Sequence, residues 1–226
     1  GLTAEQLRKM GFTANDLKAA GMSAEELAKA GFNASQLLAA GFSDGDLMKA
    51  GFSASEVASA RAQQGYLAKV SDSNCSIESA RDALKQGVEA KALRELGCTA
   101  STLSMAGYSA AQLRAAGFSA ADLKAAGFSA SDLRKAGFSA KALQQAGFSA
   151  KDLLQAGFSA GELKAAGYTA ADLKAAGLSA AELKSLGFSA KELRNAGFSA
   201  AALKNAGFSA KDLLDAGFAA GALQRA

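Results

Sequence analysis

The apolar positions of this chain fall on a ten-residue beat, not on a plain helix or strand period. Gly recurs at 1, 11, 21, 31, 41 and 51, and again from 87 every ten residues to 217, giving 20 repeats of consensus G-F-S-A-x-D/E-L-K-x-A. Position 2 is usually Phe. Position 7 is Leu in 19 repeats, with Val57 the exception, and Ala fills position 4 in 19 and position 10 in 17. Such a period marks a repeat architecture and takes precedence over any local reading.

The polar positions predict a short helix in each unit. Position 3 is Ser, Thr or Asn in 18 repeats, with Glu89 and Ala219 the exceptions. These side chains accept hydrogen bonds from the free N–H groups at a helix start. Position 6 is Asp or Glu in 12 repeats and Gln in 3, so a cap and an acid or amide stand three residues apart, as in Ser119 and Asp122. That is the capping-box spacing, and Phe118 and Leu123 flank it as a hydrophobic staple. Position 8 is Lys or Arg in 11 repeats, near the negative end of the helix dipole. The next Gly adopts a left-handed conformation and ends the helix.

The expected element is a helix of about seven residues, roughly 10 Å long. It is too short to persist alone, so neighbours must stack. The predicted fold is all-α: a solenoid of short helices. One continuous helix is excluded, because ten residues advance it by about 1000°, roughly 80° short of three turns, and no apolar stripe forms. The alternative is a right-handed β-helix of the pentapeptide-repeat type, since Phe118, Leu123, Phe128 and Leu133 recur every five residues. Against it, the inward slot before each Leu holds Lys91, Lys141, Lys151, Lys191 or Lys211 in several repeats and Glu5 or Glu25 in others. Buried unpaired charges there would cost several kcal/mol each.

The beat breaks between Gly51 and Gly87, a spacing of 36. The chain divides into an array at 1–56, an irregular interruption at 57–86 and a second array at 87–226. Within the interruption, helices are expected at about Ser55–Gln64 and Ser76–Gln86, with Gly65, Tyr66 and the polar cluster Ser71, Asp72, Ser73 and Asn74 between them as a loop. The segment reads either as a decayed repeat with an insertion or as a docking or hinge point.

Composition narrows the chemistry. There is no His, so no His general base or Ser-His-Asp triad exists, and two Cys alone cannot complete a structural zinc site. The acidic row at position 6 is explained by capping. The basic row at position 8 is expected as a solvated face carrying weak charge pairs. The Phe row is expected in the core, not as a stacking surface for bases. Net charge is +4, with interleaved signs that do not resemble a nucleic-acid stripe. No run of about 18 apolar residues is present, so no membrane span is expected. The chain begins with Gly1, not Met, and is read as a region of a longer protein. No catalytic, cofactor-binding or metal-binding residue is assigned. Cys75 and Cys98 could bridge in an oxidising compartment, and no other Cys competes. In the other reading Cys98 is a small buried hydrophobe.

The run AGFSAADLKAAGFSASDLRKAGFSAKAL, together with NCSIESARDALKQGVEAKALRELGCTASTLSMAGYSA, resembles the central repeat region of the DotG/IcmE family, VirB10-like components of type IVB (Dot/Icm) secretion systems. The resemblance covers essentially the whole chain. It implies a structural part of an envelope-spanning machine in a Gram-negative bacterium, with a membrane anchor and a VirB10-like domain flanking the repeats. The expected role is a non-enzymatic periplasmic scaffold or spacer. Its partners would be other secretion subunits and copies of itself, with no cofactor, small-molecule substrate or nucleic acid. The alternatives are a general protein-binding solenoid and a DNA-mimic β-helix.

Overall fold

The computed structural model describes residues 1–225. The described residues form helices and turns, without strands, and the β-helix alternative is thereby corrected. Two compact units are present, Gly1–Tyr108 and Ser109–Ala226. The first contains α1 (Ala4–Lys9), α2 (Ala14–Ala19), α3 (Ala24–Lys29), α4 (Ala34–Ala39), α5 (Asp44–Lys49), α6 (Ala54–Asp72), α7 (Ile77–Lys85), α8 (Ala90–Glu95) and α9 (Ala100–Ala106). The second contains α10 (Ala110–Ala115), α11 (Ala120–Ala125), α12 (Ala130–Lys135), α13 (Ala140–Gln145), α14 (Ala150–Gln155) and α15 (Ala160–Ala166). It continues with α16 (Ala170–Ala175), α17 (Ala180–Ser185), α18 (Ala190–Asn195), α19 (Ala200–Asn205), α20 (Ala210–Asp215) and α21 (Ala220–Gln224). No helix among the described residues is long and apolar enough to cross a membrane.

The repeat helix is six residues long in most units, one shorter than expected, because a side-chain cap sets its start and a left-handed Gly its end. At the start, all 15 repeats with an acid or Gln at position 6 close a full capping box. The two repeats with Glu89 or Ala219 at position 3 make no side-chain cap bond. At the end, the N–H of Phe128 donates to the Leu123 carbonyl at 3.0 Å and that of Gly127 to the Lys124 carbonyl at 3.0 Å. This pair is the Schellman motif, which needs the left-handed φ of +93° that Gly127 supplies. Phe128 is therefore the last residue of one motif and the first of the next, and the linker between helices is reduced to Ala-Gly-Phe-Ser.

Stacking follows a two-repeat rule. In the second unit α10 packs on α12, α11 on α13, α12 on α14, α16 on α18 and α17 on α19, besides contacts between successive helices. One coil of the solenoid is two repeats, 20 residues, and the helices of the unit form two rows. The Leu at position 7 points between the rows: Leu113, Leu123, Leu133, Leu143 and Leu153 are completely buried. Ala at position 4 lets the short helices approach closely. The tyrosines Tyr108 and Tyr168 apart, the buried side chains among the described residues are apolar.

In the first unit the same rule passes through the interruption. α2 packs on α4, α4 on α6 and α6 on α8, which makes one row; α7 packs on α9 in the other. The interruption is thus one enlarged coil. α6 runs eight residues past the expected Gln64 because Arg61 stands where a repeat would place its terminating Gly. Gly65, Tyr66, Ser71 and Asp72 lie inside α6, where a loop was expected, and Val57, Ala60 and Val70 bury that helix against the core. The real turn is Ser73–Ser76, and Ser76 caps α7.

Candidate functional site: the clamps between coils

Lys and Arg at position 8 lie at the surface, as expected, but backbone carbonyls and rings take the place of the expected charge pairs. Most of them lie near the C-terminus of their helix and reach the C-terminus of the helix stacked on it, two repeats on. Lys174 donates to the carbonyls of Ala196 at 3.3 Å and Gly197 at 2.8 Å, and its Nζ lies 4.8 Å from the centre of the Phe198 ring. Lys18 repeats this on Ala40, Gly41 and Phe42, at 3.0, 2.6 and 4.7 Å. Lys124 and Lys184 reach Gly147 and Gly207, both at 2.6 Å. Arg114 and Arg194 donate to Ala136 and Ala216 at 3.0 and 3.2 Å and lie over Phe138 and Phe158's later counterpart Phe218.

The chemistry of the clamp is simple. The last carbonyls of a helix lack partners, and a cation delivered there satisfies them and meets the negative end of the dipole. The aromatic face beneath adds a cation–π contact. Gly at position 1 serves this contact as well as the turn. At Gly137 an added Cβ would stand 2.7 Å from Arg114 Nη1, and at Gly41 3.1 Å from Lys18 Nζ.

At two departures from the consensus a tyrosine bonds the coil behind it. Gln144 stands where a cation would face Tyr168, and the Tyr168 hydroxyl donates instead to the Phe148 carbonyl, 20 residues back, at 2.5 Å. Leu84 occupies the corresponding place before Tyr108, whose hydroxyl donates to the Val88 carbonyl at 2.8 Å. Burial pushes the Tyr108 phenol up to about 12. Leu154 precedes Leu178 by the same 24 residues, an apolar pair in place of cation and ring.

The acidic row caps helices. The Ser149 hydroxyl and N–H both donate to Asp152, at 2.7 and 2.9 Å, and hold its carboxyl below the usual range, with Lys124 of the preceding coil adding to the effect. Glu162 and Asp212 are held down in the same way by Ser159 and Ser209. Surface ion pairs use other positions: Glu5 with Lys9, Glu25 with Lys29 and Asp215 with Lys211. Cys75 and Cys98 form a disulfide with their Cα atoms 5.5 Å apart, joining the end of α6 to the end of α8.

The sequence signature described as Decapeptide repeat region matches residues 1–71, 87–160 and 157–226. The chain belongs to the decapeptide repeat family. The unmatched residues of this decapeptide repeat chain, 72–86, run from the end of α6 through α7, within the enlarged coil. No curated protein and no solved structure matches the chain.

Proposed function

We propose that this decapeptide array is a non-enzymatic spacer and scaffold of a DotG/IcmE-like component in a type IVB secretion machine. It works in the periplasm of a Gram-negative bacterium, among other subunits and copies of itself. One observation carries the reading: the charged side chains at position 8 are directed at the backbone of the next coil. The same clamp recurs from coil to coil, so the length of the array scales with the number of coils and not with the identity of any one. The Cys75–Cys98 disulfide supports an oxidising compartment.

The test removes one coil, residues 137–156, in a bacterium whose secretion machine carries the chain, and reads export of a reporter substrate. The deletion is expected to lower export, and filling the gap with a second copy of residues 117–136 to restore it. Export that stays lost after the refill would show that the removed coil had a specific binding role, and would overturn the spacer reading. Export unaffected by the deletion would overturn it too.

A further inference from the structure

Both cysteines occupy the slot that Phe fills elsewhere. The end of α6 repeats the decapeptide ending with other residues: Val70 in the Leu slot, Asn74 in the Gly slot, Cys75 in the Phe slot and Ser76 in the cap slot. The backbone agrees. Cys75 N–H donates to the Val70 carbonyl at 2.8 Å and Asn74 N–H to that of Ser71 at 3.0 Å, and Cys98 N–H donates to the Leu93 carbonyl at 3.0 Å at the end of α8. Since α6 and α8 are neighbours in one row, the disulfide is a covalent version of the clamp between coils.

The two sulfurs differ in access. Cys98 is 4% exposed, whereas Cys75 is partly exposed in a turn whose residues Ser73 and Asn74 are open to solvent. Asn74 and Cys75 also hold left-handed conformations, with φ of 50° and 57°, which side-chain-bearing residues adopt at a cost. The turn is held by the disulfide and by hydrogen bonds among Ser73, Ser76 and Ser79. Such over-determined, strained segments are where a protein stores a conformational change.

We propose that Cys75 is a thiol-exchange site, through which a dithiol oxidoreductase opens and closes the clamp between α6 and α8. The incoming thiolate bonds to Cys75 Sγ. The Cys75–Cys98 bond breaks, and its electron pair leaves on Cys98 Sγ, which takes a proton from water. The second thiol of the oxidoreductase then attacks its own mixed-disulfide sulfur and releases Cys75 as thiolate. In sum, one disulfide of the chain is reduced to two thiols and one dithiol is oxidised to a disulfide. Attack at Cys98 is blocked by burial. Cys98, protonated from water, stays as a thiol in its apolar slot, and the second thiol of a dithiol completes the reduction by releasing Cys75. The same steps in reverse close it.

The test treats the whole oxidised chain with limiting cysteine, quenches in acid and maps the adduct by peptide mass spectrometry. The mixed disulfide is expected at Cys75 with a free thiol at Cys98, by a margin on the order of tenfold or more. An adduct at Cys98, or an even division, overturns the proposal. A second measurement uses Cys75→Ser and Cys98→Val, each checked for helix content; Val88 fills the slot after α7 that Cys98 fills after α8 and is itself 4% exposed. Iodoacetamide is expected to alkylate Cys75 in the second variant about tenfold faster than Cys98 in the first. Equal rates would overturn the assignment.

Discussion

Replacing Lys174 by Met removes one clamp and little else, because Met keeps much of the aliphatic stem. Two hydrogen bonds to the Ala196 and Gly197 carbonyls and one contact with the Phe198 ring are lost. Lys174 is only partly buried, so the low end of the range for charged hydrogen bonds applies, together with an exposed cation–π term. The expected loss is about 1–2 kcal/mol. Unfolding of a long array need not be two-state, so amide hydrogen exchange is the proper assay. Protection is expected to fall in α16, α18 and the turn at Gly197 and to remain normal in α11 and α12. A double-mutant cycle with Phe198→Leu isolates the ring contact, and a coupling of about 0.5–1 kcal/mol is expected. Unchanged protection, with zero coupling, would mean that the position-8 cations are solvated after all, and the clamp would have to be abandoned.

Three further perturbations separate the other parts of the repeat. Leu183→Ala empties a completely buried slot and is expected to cost about 2–5 kcal/mol, read as early melting of α17 and its stacked neighbours; a loss under about 1 kcal/mol would place Leu183 outside the core. Gly137→Ala meets both the left-handed turn and Arg114 Nη1, and is expected to cost about 1–2 kcal/mol in a thermal melt, whereas Gly221→Ala, with open space around it, should be nearly neutral. The capping carboxylates make stability acid-sensitive. Asp16, Asp152, Glu162, Glu182 and Asp212 sit below their ordinary values, so near about pH 4 the unfolded chain binds protons that the folded chain does not. Their stabilisation is full above that range and disappears as the pH falls through the folded values. Urea midpoints that stay level from neutral to acid pH would contradict it.

The repeat helix was legible because its signals are local. Ser, acid, Leu and Gly lie within one turn of the groups they serve, and the two repeats lacking a capping residue, at Glu89 and Ala219, lack the cap bond. The coil was not legible from the beat, because stacking of a helix on the second one along is a long-range choice that a ten-residue period leaves open. A trace of it does exist in the 24-residue pairing of position 8 with a later position 2. Where Gln144 and Leu154 replace the cation, Tyr168 and Leu178 replace the Phe, whereas Ala28 and Ser104 stand before an unchanged Phe52 and Phe128. The enlarged coil hid for a related reason. Asn74-Cys75-Ser76 performs the task of Gly-Phe-Ser without its letters, and the missing Gly at Arg61 let α6 run through a segment that composition marks as loop.

The two-repeat coil is directly accessible through two of the three tyrosines. Tyr108 and Tyr168 each donate to a carbonyl one coil back, Val88 and Phe148 respectively. Selective labelling of tyrosine and a nuclear Overhauser spectrum of the folded chain would report these neighbours by residue. Cross-peaks from the Tyr168 ring to Phe148 and from the Tyr108 ring to Val88, each at a separation of 20, are expected. Their absence, with contacts at another repeat spacing in their place, would contradict the fold described for both units.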